Sequence, residues 1–316
     1  MNIVQEIKNH RPSLKESTVK QYERQLKTLQ KMFKTDSWEF VEDIDKVKNA
    51  LSAKHYTTQR NFYNSIIVLL LALNKDKKYT QLIEQYTSIR DELNQEYLKQ
   101  QQSGKISDKQ SDNFISKKEL LNMIETMEKE IKKNKLKSKN DLNADDIELL
   151  TRFAIFTFLI NLPVRNDLAG MKYINKTMYN KTTDSEDKTN YLVKDKSKMF
   201  AVLNDYKTKG TFGSKIIDVP KNVEKVLKMF IKSTKKEFGD ILFLNRRNEP
   251  ISRNGLSQFL LKTSQKYLDK NISTTMIRKI VFSDEYSEKN KSQKKLANIA
   301  GHSVELQNLV YVKEKE

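Results

Sequence analysis

The chain of 316 residues contains no cysteine. A disulfide framework and a thiolate metal site are therefore excluded, and a reducing compartment is compatible with the composition. Histidine is almost as scarce: only His10, His55 and His302 occur, in different parts of the chain, so a zinc site is not expected. Long apolar runs are missing too. The longest, Ile66 to Leu73 and Phe153 to Leu162, fall short of the roughly 20 residues that span a bilayer and read as buried core helices. Met1 to Pro12 alternates polar and charged residues without an apolar segment, so no signal peptide is expected and the protein should stay where it is made.

Acidic residues are outnumbered. Against 59 Lys and Arg stand 41 Asp and Glu, leaving a formal net charge of +18. Such an excess costs self-repulsion unless a polyanion, nucleic acid above all, uses it. A lysine-rich composition set by AT-rich codons gives the same excess, so charge alone does not decide function. With 37% hydrophobic and 32% charged residues the chain reads as soluble, and its length suits two domains with a core each.

Apolar residues at Leu14, Val19, Tyr22, Leu26, Leu29 and Phe33 give one helical face over Ser13 to Phe33. Weaker helical patterns follow over Ser37 to Leu51, Thr57 to Leu73 and Thr80 to Lys99, which together predict an all-α first domain over residues 1–102. The polar stretch around Gly104, residues 103–113, is the expected linker, and a second domain is expected over 114–316. Ser116 and Glu119 have capping-box spacing ahead of Leu120, Met123, Ile124 and Met127. The basic run Lys129 to Asn140 reads as a solvated helix end or as a phosphate contact. Asp145 to Leu162 is a strongly apolar helix that Pro163 stops, setting Arg165 at a corner. Short β-prone runs at Tyr191 to Val193, Met199 to Tyr206 and Lys215 to Val219 predict a small antiparallel sheet, with Lys207 to Gly210 at a hairpin tip. Helical spacing returns from Lys221, interrupted by an extended piece at Ile241 to Leu244.

The residues with chemical potential fall in order along the second half: Arg165, Lys207, Thr275, Arg278, His302 after Gly301, and Tyr311 nine residues beyond that histidine. A phosphodiester under attack spreads negative charge over its non-bridging oxygens, and arginine supplies a planar fork of donors that stays charged. A tyrosine can attack phosphorus and remain attached to it. A lysine on a hairpin can protonate the leaving oxygen, with Lys207 the first choice and Lys209 the second. Each residue has a plainer reading: an arginine paired with Asp167 or Asp284, a solvent-facing lysine, a helix-start histidine, a core or surface tyrosine.

This ordered set resembles the pattern of the tyrosine recombinase and integrase superfamily, and the resemblance covers most of the chain. The segments Leu162 to Asp167 and Asp205 to Lys209 look most like integrases of eukaryotic viruses and related mobile elements. The resemblance implies a mainly α fold with a small antiparallel β-sheet, an N-terminal core-binding domain and a catalytic domain that close as a clamp on double-stranded DNA. It implies site-specific recombination or viral genome integration through a 3′-phosphotyrosyl intermediate, with no cofactor or metal. Arg165 and Arg278 would clamp the phosphate, Lys207 would be the acid, His302 would donate to the phosphate, and Tyr311 would be the nucleophile. Thr275 stands where the family more often has a histidine or lysine; it can donate one hydrogen bond but cannot act as a base near neutral pH. Asp167 is the candidate for the carboxylate that usually follows the first arginine. A homodimer on DNA assembling to a tetrameric synapse is implied. So is an intracellular site of action, in the nucleus or a viral factory for a chain of eukaryotic viral origin and in the cytoplasm otherwise. Only Val312 to Glu316 follow Tyr311, which argues against a long exchanged tail and leaves cis or trans cleavage open.

Three rival readings remain. A type IB topoisomerase uses the same residue types. A DNA-binding protein that has lost its chemistry would be consistent with Thr275. A metal-dependent nuclease could use Asp141, Asp145, Asp146 and Glu148, but these crowd within two turns and look like a helix N-terminus.

Overall fold

The computed structural model describes residues 2–182, 188–300, 303 and 304, and the chain divides into two compact units, Met1–Ile106 and Ser107–Glu316.

In the first unit the helices are α1 (Ile3–His10), α2 (Glu16–Phe33), α3 (Ile44–Leu51), α4 (Tyr56–Leu73) and α5 (Thr80–Gln102). Helix α4 is the one that is apolar nearly all round, and it is accordingly the centre: Phe62, Tyr63, Ala72 and every residue from Ser65 to Leu70 are buried. The buried hydroxyl of Ser65 donates to Gln25 and to the Asn61 carbonyl. Helices α1, α2 and α5 pack around α4. Helix α2 contributes Val19, Leu26 and Leu29, as its spacing predicts. The expected helix over 37–51 is instead a 3-10 turn, Glu39–Glu42, followed by α3. Asp43 interrupts it because its carboxylate accepts from the Lys46 amide and starts a new helix. Helix α1 was not expected, since only Ile3 and Ile7, one turn apart, are buried.

The second unit begins with the short α6 (Asp108–Ser111), which falls inside the stretch expected to be linker, and α7 (Lys117–Lys133). Ser116 and Glu119 cap α7 reciprocally, as their spacing predicts. The basic run 129–140 ends α7 and continues as a turn in which Leu136 is fully buried. Helix α8 (Ala144–Asn161) is capped by Asn143 and Asp146 and buries eleven residues between Leu149 and Ile160. It is the centre of this unit, as α4 is of the other.

Beside it lies a four-stranded sheet of β1 (Lys172–Asn175), β2 (Tyr191–Asp195), β3 (Lys198–Leu203) and β4 (Lys215–Asp218), in spatial order β1-β2-β3-β4. This corrects the expected antiparallel sheet: β1 pairs parallel with β2, Tyr173 opposite Leu192, while β2–β3 and β3–β4 are antiparallel. The connection over 176–190, which carries α9 (Lys176–Lys181), is long enough for the crossover that a parallel pair requires. The extended piece near Ile241 lies along β1, where the Leu242 amide donates to Met171 O at 2.8 Å and the Tyr173 amide to Asp240 O at 2.8 Å. The β3–β4 connection carries α10 (Lys209–Phe212), and α11 (Lys221–Ser233), α12 (Arg253–Leu268) and α13 (Thr274–Ala300) complete the unit. Helices α7, α11 and α13 all pack on α8.

Candidate functional site

Where α8 ends, Pro163 cannot continue the hydrogen-bond ladder and the chain turns outward. Arg165 then becomes the N-cap of a 3-10 turn, Asn166–Leu168, with its own amide donating to Asp167 Oδ2 at 3.2 Å. The Pro163 carbonyl, freed by the turn, accepts from Arg278 Nε at 3.1 Å. Arg278, on the second turn of α13, is thereby brought to the corner that carries Arg165. The two guanidinium groups are close enough for the charge of Arg165 to lower the pKa of Arg278, the second cause after burial and partly offset by Asp167.

Three buried or half-buried polar residues fix this corner. Asn166 Nδ2 donates to the Arg253 carbonyl at 2.9 Å and to Ser257 Oγ at 2.7 Å, while its Oδ1 accepts from Thr274 Oγ at 2.5 Å. One side chain therefore ties the corner to the first turns of α12 and α13. Asn190, 5% exposed at the start of β2, uses its full capacity. Its amide donates to Asp167 O at 2.9 Å and Asp205 O at 3.0 Å, and its carbonyl accepts from the Asn204 and Asp205 amides, both at 2.8 Å. The exit of β3, two residues before Lys207, is so fastened to the arginine corner. Asp167, also 5% exposed, lies between them.

Burial raises the carboxyl pKa of Asp167, against the pull of Arg253 first and Arg165 after it. The carboxylate pairs with Arg253, Nη2 to Oδ1 at 3.6 Å, and the same guanidinium reaches Asp205 Oδ2 at 3.3 Å and the Asp205 carbonyl at 2.6 Å. Among the described residues neither Arg165 nor Arg278 forms an ion pair. Asp284, the other carboxylate considered for them, pairs with Lys117 at 3.3 Å. The corner thus gathers the charges of Arg165, Arg278 and Arg253 around one buried carboxylate, Asp167, an excess of positive charge that costs repulsion and desolvation unless an anion fills it. Phosphate oxygens, which accept bidentate arginine forks, suit it.

The other expected site residues fall as follows. Lys207 is exposed on the β3–β4 connection, and Lys209, half-buried, opens α10. Thr275 is exposed one residue after Thr274, whose buried hydroxyl binds Asn166. His302 and Tyr311 lie outside the described residues. Asn166, Asn190, Asp205, Arg253 and Thr274 carry the support of the corner and were not singled out for it from sequence. Nothing in the pattern marks Arg253 as a partner of a carboxylate so far upstream, or Asn190 as more than a polar residue before an apolar strand.

The acidic group at the start of α8 has a different role. Asp145 and Glu148 both hold Arg246, the former at 2.6 Å; Glu148 also pairs with Arg152, and Asp146 with Lys139. These carboxylates serve a helix N-terminus and surface pairing, and among the described residues no group of three or more His, Asp or Glu could hold a metal ion. A cavity of about 430 Å³ is lined by Lys194, Lys228, Lys232, Lys235 and Lys236 among others. It lies toward the turn that joins β2 to β3, whereas Asn190 and Asp205 mark the opposite end of those strands, so it takes no part in the arginine corner.

No protein-family model matches the chain, and no curated protein matches its sequence. Among solved structures it is similar to the crystal structure of XerA recombinase, at 14% identity over 99% of this chain and 94% of that one, with a TM-score of 0.35. It is also similar to the XerH site-specific recombinase bound to difH substrate in a pre-cleavage complex, at 10% identity over 85% of this chain and 69% of that one, with a TM-score of 0.45. Both superpositions are too loose to decide fold or activity.

Proposed function

We propose that this chain is a DNA strand-transfer enzyme of the tyrosine recombinase kind, acting without metal or nucleotide. The observation that carries the reading is the gathering of Arg165 and Arg278 at one corner, where they share the buried carboxylate Asp167 with Arg253 and, among the described residues, neither forms an ion pair. A scissile phosphodiester placed there has its non-bridging oxygens clamped as charge develops on them. The phenolic oxygen of Tyr311 attacks phosphorus, the bond from phosphorus to the 5′ oxygen breaks, and a 3′-phosphotyrosyl link conserves the bond for rejoining. Lys207 delivers the proton to the leaving 5′ oxygen; the phenolic proton passes to His302 or water, since a threonine at 275 cannot take it.

Residues 1–102 act in this reading as the core-binding domain and 114–316 as the catalytic domain, closing on duplex DNA, with dimers assembling to a tetrameric synapse. Lys20, Arg24, Lys27 and Lys31 recur along one side of α2 and line a shallow cavity of about 300 Å³. That stripe supplies phosphate contacts. Integration of a viral or mobile genome is the biological role that the segments around Arg165 and Lys207 favour.

The test is cleavage of nicked suicide duplexes in EDTA by wild type, Arg165→Ala and Arg278→Ala. Wild type should cut, while each variant should bind the duplex but cut about 100- to 1,000-fold more slowly. Cleavage that requires added divalent metal would refute the reading. A second reading, a DNA-binding protein without chemistry, draws on the exposed Thr275; tight binding with no cleavage on any substrate would favour it.

A further inference from the structure

The connection from β3 to β4 holds an aromatic ring out into solvent. Phe212 closes α10 and is 63% exposed. An apolar ring left in water forfeits the stabilisation that burial would give it, so its position calls for a partner. The loop does not leave it there through slackness. Tyr206, 3% exposed, turns inward and its hydroxyl donates to the Gly213 carbonyl at 2.6 Å. The Phe212 and Gly213 amides donate to Thr208 O at 3.2 Å and Lys209 O at 2.8 Å. Gly213 has φ 66 and ψ −163, a region essentially closed to other residues, and no atom outside its immediate neighbours lies within 4 Å of where a Cβ would sit. The backbone path after Phe212 is therefore one that glycine adopts without strain.

The surroundings of the ring state the chemistry of the partner. From Tyr206 to Ile217 there are three lysines, Lys207, Lys209 and Lys215, and no carboxylate. Lys215 Nζ stands 4.9 Å from the centre of the Phe212 ring and 5.2 Å from that of Tyr206. An exposed ring set among lysines fits a ligand that offers a π-face beside phosphates, which is a nucleobase in a strand. The same connection starts at Asp205, which Asn190 and Arg253 fasten to the arginine corner.

We propose that Phe212 stacks against a nucleobase of bound DNA, next to the phosphate held by Arg165 and Arg278. This rests on the DNA reading above and adds to it a contact that reads base stacking rather than charge. Stacking is available to bases freed from the helix, so gapped or frayed duplexes should gain more from Phe212 than intact ones.

The experiment is photocrosslinking to gapped duplexes that carry 5-iododeoxyuridine at successive positions, with peptide mapping, alongside binding titrations on gapped and intact duplexes. Wild type should crosslink through Phe212. Phe212→Ala should lose that crosslink and bind gapped DNA about 10-fold more weakly, with a smaller change on intact duplex, while Phe212→Tyr restores both. Circular dichroism melts confirm that the variants fold. A protein that binds no duplex at low salt overturns the DNA reading and this contact together. A protein that binds with steep salt dependence, yet gives no crosslink at residue 212 and the same affinity for Phe212→Ala, overturns the contact alone. Sedimentation velocity covers the remaining case: if Phe212→Ala abolishes self-association and leaves DNA binding unaltered, the ring meets a second copy of the chain and the proposal fails.

Discussion

Replacing Asn190 by alanine should loosen the arginine corner while leaving the rest of the second unit folded. The side chain makes four hydrogen bonds from a position 5% exposed, two as donor and two as acceptor. Truncation removes all four and leaves the Asn204 amide and the Asp167 carbonyl, both on buried residues, without this partner. The Asp205 groups, on a half-buried residue, can recover water. Two part-buried bonds to Asp205 at ~0.5 kcal/mol each and two orphaned groups, a donor and an acceptor, at ~1 kcal/mol each make a loss of ~3 kcal/mol. By the factor of ten per ~1.4 kcal/mol, that is about 100-fold in local opening. Hydrogen exchange resolved to the peptides covering 189–206 reads it directly: the Asn204 and Asp205 amides should lose about 100-fold in protection, with α8 peptides affected less. Asn190→Asp separates the two halves of the network, since it keeps the acceptor but cannot donate when ionised. Burial raises the pKa of such a carboxyl above its unfolded value, so its cost is present at neutral pH and shrinks as pH falls through the raised pKa. Unchanged protection at 204 and 205 in Asn190→Ala would refute the claim that this residue holds the β3 exit to the corner.

Other consequences follow from the same geometry. Arg165→Met should leave thermal stability unchanged or slightly raised, because it relieves repulsion on a partly buried Arg278. Sulfate should raise the melting temperature of wild type but not of this variant, and calorimetry with and without sulfate checks both. Arg253→Ala removes the strongest attraction on Asp167, whose carboxyl burial already raises. The lost hydrogen bond to the Asp205 carbonyl costs the variant at every pH, but the attraction on Asp167 acts only on the ionised form, so the gap from wild type should be smallest at acid pH and widen as pH rises through the carboxyl range, as urea titrations across pH will show. Gly213→Ala, forced to φ 66 and ψ −163 with open space around the new methyl, should cost ~1–3 kcal/mol from the backbone alone in thermal unfolding. Arg24→Ala and Lys31→Ala should each lower the slope of log affinity against log salt by about 1 if α2 lies along phosphates, measured by fluorescence anisotropy on mixed-sequence duplex.

Much of the scaffold was legible because it depends on local rules. The capping box at Ser116 and Glu119, the all-round apolar pattern of α4 and α8, and Pro163 stopping α8 short of Arg165 each follow from a few neighbouring residues. Helix α1 was not legible, since two buried isoleucines in eight residues are too few to show a period. The parallel pairing of β1 was hidden for another reason: a four-residue strand carries no record of its direction, which is set by the crossover over 176–190. Arg165 and Arg278 could be nominated from order along the chain, but the state of their charges could not. That depends on Arg253 occupying Asp167 and on Lys117 occupying Asp284, pairings between residues distant in sequence. The supporting amides of Asn166 and Asn190 were missed likewise, because a buried asparagine is distinguished from a surface one only by what surrounds it.

The reading as a whole stands on whether Tyr311 becomes joined to DNA. Wild type and Tyr311→Phe, incubated in EDTA with nicked suicide duplexes that include the ends of the encoding element and a mixed-sequence pool, can be run on denaturing gels and the retained species mapped by peptide mass. A covalent adduct on Tyr311, absent from the variant although the variant binds the same duplexes, is the expected result. Tight binding with no adduct on any substrate, or an adduct on another residue, would contradict it.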